Sequence, residues 1–229
     1  MIGWLIGIDR ALFQWLNGSD SLLIDRLMLD ITTWWVWIPL YLMHIILILK
    51  NNETVQRMSF AIGCALLCFL LTEISADLII KPLVGRMRPF HDASLHTALA
   101  DGYKASGYSF VSAHAANMFG LFVYIALLIR SRVLTTALLV WSLFACYSRI
   151  YLGVHYPADV FCGMLLGALV GWSCYRLNCR SQKRQVYRHT RFVSSNLTSS
   201  GYATDDIDRV ISILLLSVVA ILVHTVITA

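Results

Sequence analysis

The run "MSFAIGCALLCFLLTEISADLII", Met58 to Ile80, decides the class of fold. It holds two charged side chains, Glu73 and Asp77, both in its last third. At 1.5 Å of rise per residue such a run forms a helix of roughly 34 Å, enough to cross a hydrocarbon core of about 30 Å. Five further apolar windows resemble it: Trp34 to Leu49, Ala113 to Ile129, Val133 to Tyr147, Ala158 to Leu177 and Ile211 to Thr228. Composition agrees, with 58% of the 229 residues hydrophobic and only 14% charged, against about a quarter charged in soluble domains. The expected architecture is an all-α, polytopic transmembrane helical bundle of about six spans. No internal repeat or Gly/Ser linker divides it, so residues 1–229 read as a single membrane-embedded domain, with Ile211 to Thr228 as an extra C-terminal span.

The first residues, "MIGWLIGIDRALFQWLNG", are broken by Asp9, Arg10 and Gln14 before a span is complete. They lack a basic start and a small-residue cleavage site, which argues against a cleaved signal peptide. Leu5, Ile8, Leu12, Trp15 and Leu16 recur near helical spacing, away from those three polar residues, as in an amphipathic helix lying in the membrane interface. The six cysteines suggest no disulfide framework and have no zinc-type spacing. Cys64 and Cys68 are one helical turn apart inside an apolar run, where cysteine acts as a small hydrophobe.

Basic residues orient the bundle. Six spans divide the connections into two sets, and eleven of the eighteen Lys and Arg fall in one: Lys50, Arg57, Arg130, Arg132, Arg176, Arg180, Lys183, Arg184, Arg188, Arg191 and Arg209. Cytoplasmic loops are enriched in Lys and Arg, so this set, including the basic loop within 178–209, is expected in the cytoplasm. The net charge of +5 then reflects topology and anionic headgroups rather than nucleic-acid binding.

The opposite set gathers the chemistry. After the opening run comes "KPLVGRMRP", with Lys81, Arg86, Arg88 and Pro89; the same loop ends in "SFVSAHAAN", with Ser112, Ala113 and His114. The next loop on that side holds "SRIYLGVHYPAD", with Ser148, Arg149, His155 and Asp159. Arg forks and a Lys point charge suit phosphate oxygens. Paired histidines suit a nucleophile and a proton donor.

In order and spacing these segments resemble the three-part signature of the type 2 phosphatidic acid phosphatase superfamily: K-x6-R-P, then P-S-G-H, then S-R-x5-H-x3-D. The first and third parts match in full. The second is Val111-Ser112-Ala113-His114, with Val for Pro and Ala for Gly. Ala113 adds a Cβ where backbone meets phosphate, harmless only if the site does not need positive φ.

The resemblance implies roles. His155 would attack phosphorus, neutral imidazole having its lone pair free near pH 7, and Asp159 would fix its tautomer. Pro157 suits the first turn of a helix, placing Asp159 early in the fifth span. His114 would protonate the leaving oxygen and later activate water. Lys81, Arg88 and Arg149, with Ser112 and the Ala113 N–H, would hold the phosphoryl oxygens. No metal or other cofactor is implied. The partner would be a membrane lipid phosphate, a phosphomonoester or diphosphate: lipid A, undecaprenyl diphosphate or phosphatidylglycerol phosphate. The site would face the periplasm across a bacterial inner membrane.

Other polar residues have plainer readings. His44 and His224 read as structural, His91 and His96 as solvated, and Arg86 occupies a variable position of the first motif. Asp77 and Lys81, at i and i+4, can pair; Glu73 is left between protonation, a bond to a neighbouring helix and a substrate groove. The sequon Asn196-Leu197-Thr198 falls in the expected cytoplasmic loop. An ion-coupled transporter is opposed by the clustering at one face rather than the midplane, and a vanadium-dependent oxidase by the six spans.

Overall fold

The computed structural model describes residues 2–183 and 196–228. Arg184, Arg188 and Arg191 of the expected basic loop, and the side chain of Lys183, lie outside the described residues. The chain is helical: α1 (Ile2–Leu16), α2 (Leu22–Thr32), α3 (Ile38–Lys50), α4 (Val55–Glu73), α5 (Lys81–Val84), α6 (Ala113–Ile129), α7 (Arg132–Tyr151), α8 (Pro157–Lys183) and α9 (Thr204–Thr228). Among the described residues there is one isolated β-bridge, between Leu197 and Ala203.

All six apolar windows fall on helices, with adjusted spans. Among the described residues, four stretches are long and apolar enough to cross a membrane: Val55–His91, Arg132–Tyr151, Pro157–Ser181 and Thr204–Thr228. A fifth crossing is bent. Leu22–Thr32 and Trp34–Lys50 meet at 63°, where Thr33 closes α2 and the Trp37 indole donates to the Ile31 carbonyl at 2.9 Å. The expected span at Trp34 to Leu49 is therefore the second half of a broken one, whose first half, α2, carries Asp25, Arg26 and Asp30 and so lacks an apolar signature. The remaining window, Ala113 to Ile129, is α6, with 17 residues.

That short helix is the centre of the bundle, packed against α8, α4 and α7. Gly163, Gly167 and Gly171 recur every fourth residue on α8 and let the two backbones touch. A Cβ at Gly167 would stand 2.2 Å from the Ala116 carbonyl oxygen, and one at Gly171 2.3 Å from that of Gly120. Small residues at this spacing are the usual means of close helix approach where apolar burial gives little drive.

α4 continues into a π-helical stretch, Ile74–Ile80. Its wider turn re-phases the side chains beyond Glu73, and such bulges occur often at functional sites. Asp77 in this stretch pairs with Lys81. Glu73 accepts from the Asn117 amide on α6, and Asn117 in turn accepts from Thr72, so the bond to a neighbouring helix is the arrangement found.

The first helix divides its side chains much as the spacing of its apolar residues predicts. Trp4, Leu5, Ile8, Leu12 and Trp15 face outward, while Asp9 and Phe13 are buried against the bundle. Asp9 thus belongs to the docked face rather than to a solvated polar one. Asn17, just past the helix, ties that end down by donating to the Tyr151 carbonyl at 2.8 Å and accepting from the Ala98 N–H at 2.8 Å.

Candidate active site

Three turns bring the motif residues to one end of the bundle. In the first, the Gly85 N–H donates to the Lys81 carbonyl at 2.9 Å and Gly85 takes φ +62°, the left-handed cap that suits glycine. The chain then runs extended through Arg88 into a short 3₁₀ turn at Pro89. In the second, Ser112 caps α6, its hydroxyl accepting from the Ala115 N–H at 3.3 Å. Ala113 is the first helical residue and does not have positive φ, so alanine fits where the family pattern has glycine. In the third, Gly153 turns the chain at φ +73°, where a Cβ would meet Thr97 at 2.7 Å. Pro157 then opens α8 two residues before Asp159.

His155 is the convergence point. Its Nε2 lies 3.3 Å from the Arg88 guanidinium. Its Nδ1 faces Asp159, at 3.7 Å from Oδ2, longer than a hydrogen bond. The Ser109 hydroxyl fills in, 3.5 Å from Nδ1 while donating to the same Asp159 oxygen. That oxygen also accepts the Tyr156 N–H at 2.9 Å. The Ser112 N–H donates to the Asp159 carbonyl at 3.0 Å, which joins the second and third motifs directly.

Arg88, 3% exposed, is pinned by three carbonyls: Ser106 at 2.6 Å, Gly107 at 2.9 Å and Val154 at 2.9 Å. Arg149 donates to the Thr32 hydroxyl at 2.6 Å and the Tyr103 hydroxyl at 3.0 Å. The bent α2–α3 span and the long loop thus both reach into the site. Two buried polar atoms there have no partner among the described residues, Arg149 Nε and His114 Nε2. Buried polar atoms are normally satisfied, so both are open to an oxygen of a bound group. Lys81 stands apart, its hydrogen bond going to Asp77 one turn back.

Burial pushes the His155 imidazole down from its ordinary 6.5 to about 4; Asp159 works against that, and the Arg149 and Arg88 cations add to it. His155 is therefore neutral at pH 7, and the cations that would repel its proton are the same groups that would attract an anion.

Three contributors escaped sequence reading. Ser109 and Asp9 had no motif position. Arg86, assigned to a variable position, bridges Asp159 Oδ1 at 2.7 Å and Asp9 Oδ2 at 2.6 Å. The available signal was Asp9, an acid on a largely apolar N-terminal helix. His91 and His96 are exposed, His44 bonds the Leu40 carbonyl and His224 bonds Asp30.

A multi-pass helical bundle with its polar groups gathered at one end has a solved counterpart, a transmembrane PAP2-type phosphatidylglycerolphosphate phosphatase from Bacillus subtilis. The two folds superpose with a TM-score of 0.58 at 21% identity, covering 81% of this chain and 89% of that one. The fold defined is that of a transmembrane helical bundle. The model of the PAP2 superfamily matches residues 61–183, more than half of the chain, and the chain belongs to that superfamily. Among characterised relatives, the lipid A 4'-phosphatase of Bacteroides thetaiotaomicron is 33% identical over 178 residues, 76% of this chain and 79% of that protein. The undecaprenyl-diphosphatase of Sulfolobus acidocaldarius is 27% identical over 170 residues, 73% of this chain and 77% of that protein.

Proposed function

We propose that the protein removes a phosphate from a lipid headgroup through a phosphohistidine at His155, with lipid A, at its 4'-phosphate, as substrate. The observation behind this is the grouping of a neutral, buried His155 with two unpartnered buried atoms, His114 Nε2 and Arg149 Nε. The three side chains lie close enough to feel one another's charge.

The phosphoryl group enters between His155 Nε2 and these donors, and its oxygens take over the Arg88 contact. Nε2 attacks phosphorus; the P–N bond forms as the P–O bond to the lipid breaks. His114 holds a proton once the anion is beside it and delivers that proton to the leaving oxygen. Water then attacks the phosphohistidine, His114 takes its proton, and phosphate and neutral His155 are released. Asp159 stabilises the charge on His155 throughout, closing the 3.7 Å gap as Nδ1–H becomes the stronger donor. Arg88, Arg149, Ser112 and the Ala113 N–H stabilise the transferring group, joined by Lys81 once its ammonium turns from Asp77 toward the phosphate, so activity is expected to survive EDTA.

The site faces the periplasm. Its loops lie at the end of the bundle opposite Lys50, Arg57, Arg130, Arg132, Arg176 and Arg180, the end that the charge bias keeps in the cytoplasm. Cysteines placed at exposed Ser94 and Ser199 in cells lacking the native cysteines test this: an impermeant maleimide labels position 94 and spares 199. The reverse pattern puts the site in the cytoplasm.

A second reading, undecaprenyl diphosphate as substrate, is favoured by the likeness to the Sulfolobus enzyme. Phosphate release from both lipids by one detergent-purified sample decides. The proposal expects kcat/KM at least about tenfold higher for the lipid A 4'-phosphate; the opposite preference overturns the substrate assignment.

A further inference from the structure

The phosphatase mechanism uses one face of Asp159; the other face is held by groups outside the motifs. Oδ2 is turned toward His155 and occupied by Ser109 and the Tyr156 N–H. Oδ1 takes the Arg86 guanidinium at 2.7 Å. The other end of that guanidinium is held by Asp9 Oδ2 at 2.6 Å, and Asp9 Oδ1 accepts the Ala158 N–H at 2.8 Å, one of the free amides of the first turn of α8. The Arg86 cation lies 3.9 Å from the centre of the Tyr156 ring, which itself packs 5.5 Å from Phe13 of α1. The bonds of Arg86 and Asp9 run between elements far apart in sequence.

We infer that Arg86 and Asp9 form a positioning arm, through which the N-terminal helix sets the orientation of the Asp159 carboxylate and hence of His155. A carboxylate held only through Oδ2 can swing about its χ2 bond; a charge-assisted bond on Oδ1 at the same time fixes its plane. Arg86 alone cannot do this, since its side chain emerges from an extended loop. Asp9 supplies the second anchor, and the Ala158 bond locks Asp9 to the same helix turn that bears Asp159. Neither residue reaches the phosphoryl group in this arrangement; both of its inward bonds are spent on carboxylates. Removing either end leaves a buried charge without its partner, so the orientation of Asp159 is lost while the phosphate cations remain in place. Arg86 also lines a cavity of about 430 Å³ with Ile6, Arg10, Met87, Asp92 and Tyr156, through which a small solute can reach its position.

The inference rests on the assignment of His155 and Asp159, and its test separates the two. Full-length protein is purified in detergent as parent, Arg86→Ala, Asp9→Asn, the double variant and His155→Ala, and phosphate release is followed from one lipid phosphate. Arg86→Ala is expected to lower kcat roughly tenfold to a hundredfold, as misplacement of a reacting group does, with KM little changed. Guanidinium chloride at millimolar levels restores part of kcat in Arg86→Ala and none in His155→Ala. The double variant is no slower than Arg86→Ala, because the two residues act as one unit. An Arg86→Ala enzyme with parental kcat overturns the inference, as does one with raised KM at unchanged kcat, which would make Arg86 a substrate ligand. A fall in kcat that guanidinium does not relieve, or additive losses in the double variant, also overturns it. Should Arg86→Ala not fold, Asp9→Asn decides alone: parental kcat there refutes the arm. Turnover by His155→Ala would instead remove the nucleophile on which the inference stands.

Discussion

The two ends of the bundle use charge in opposite ways. At the site end Arg88, Arg149 and Asp159 are buried, and their partners come from distant elements. At the other end Lys50, with its side chain 47% exposed, meets Asp206 at 2.6 Å, and Arg209, 61% exposed, shares the same carboxylate at 2.8 Å. Buried ions without partners are expensive, whereas exposed pairs contribute about 0–1 kcal/mol. Arg88 and Arg149 are therefore placed, each by at least two fixed acceptors, whereas Lys50 and Arg209 are only hosted. A third regime lies between the ends, where α6 and α8 meet through glycines with almost no polar chemistry.

Substitutions that cross these regimes test the contrast. The largest effect is expected at the glycine seam. Gly167→Val drives a branched side chain into the Ala116 carbonyl and should cost about 3 kcal/mol or more, read as loss of monodisperse protein in detergent or a large drop in Tm. A Tm within a few degrees of the parent would break the account of α6–α8 packing.

Next is Arg88→Lys. Lysine keeps the charge but cannot bond the Ser106, Gly107 and Val154 carbonyls together while facing His155. kcat/KM should fall on the order of a hundredfold, about 2.7 kcal/mol of transition-state stabilisation, with the fold retained. Near-parental activity would mean that charge alone suffices there.

A third expectation is the titration of His155. Its folded pKa of about 4 lies below the ordinary 6.5, so unfolding takes up a proton at pH values beneath 6.5. Its contribution to stability is then full above pH 6.5 and is lost as pH falls from 6.5 toward 4. Imidazole NMR of labelled protein in micelles, with His155→Asn to assign the resonance, should show no protonation of His155 at pH 5.5. A midpoint near 6.5 would contradict the burial argument.

The smallest effect belongs to the exposed end. Lys50→Ala should change stability by less than about 1 kcal/mol and leave kcat unaltered. A loss of activity there would erase the distinction between the ends.

Much of this was legible in the sequence, unevenly. The apolar windows marked α3, α4, α6, α7, α8 and α9, because a bilayer demands long apolar runs whatever the topology. They did not reveal which helix is central: when lipid and protein are equally apolar, periodicity loses its inside and outside, and the clue to α6 lay in the glycines of α8. α2 escaped because its acids and Arg26 are satisfied by tertiary contacts such as Tyr151–Asp25 and Thr225–Asp30. At the site, residues of the local motifs were readable because their spacing is fixed by turns at Gly85, Ser112 and Gly153. Asp9, Ser109 and the bridging use of Arg86 were not, since Asp9 meets Arg86 and Ala158 across 77 and 149 positions of chain, and Ser109 and Arg86 meet Asp159 across 50 and 73.

The most direct test of the central claim is to trap the covalent intermediate. A lipid carrying ³²P in the scissile phosphate is mixed with excess detergent-purified enzyme, quenched in alkali within one turnover and digested for peptide mapping. Label that is stable in alkali, lost in mild acid, confined to the peptide containing His155 and absent from His155→Ala is the expected result. Phosphate release at the parental rate with no labelled peptide, or label on His114 instead, would contradict it.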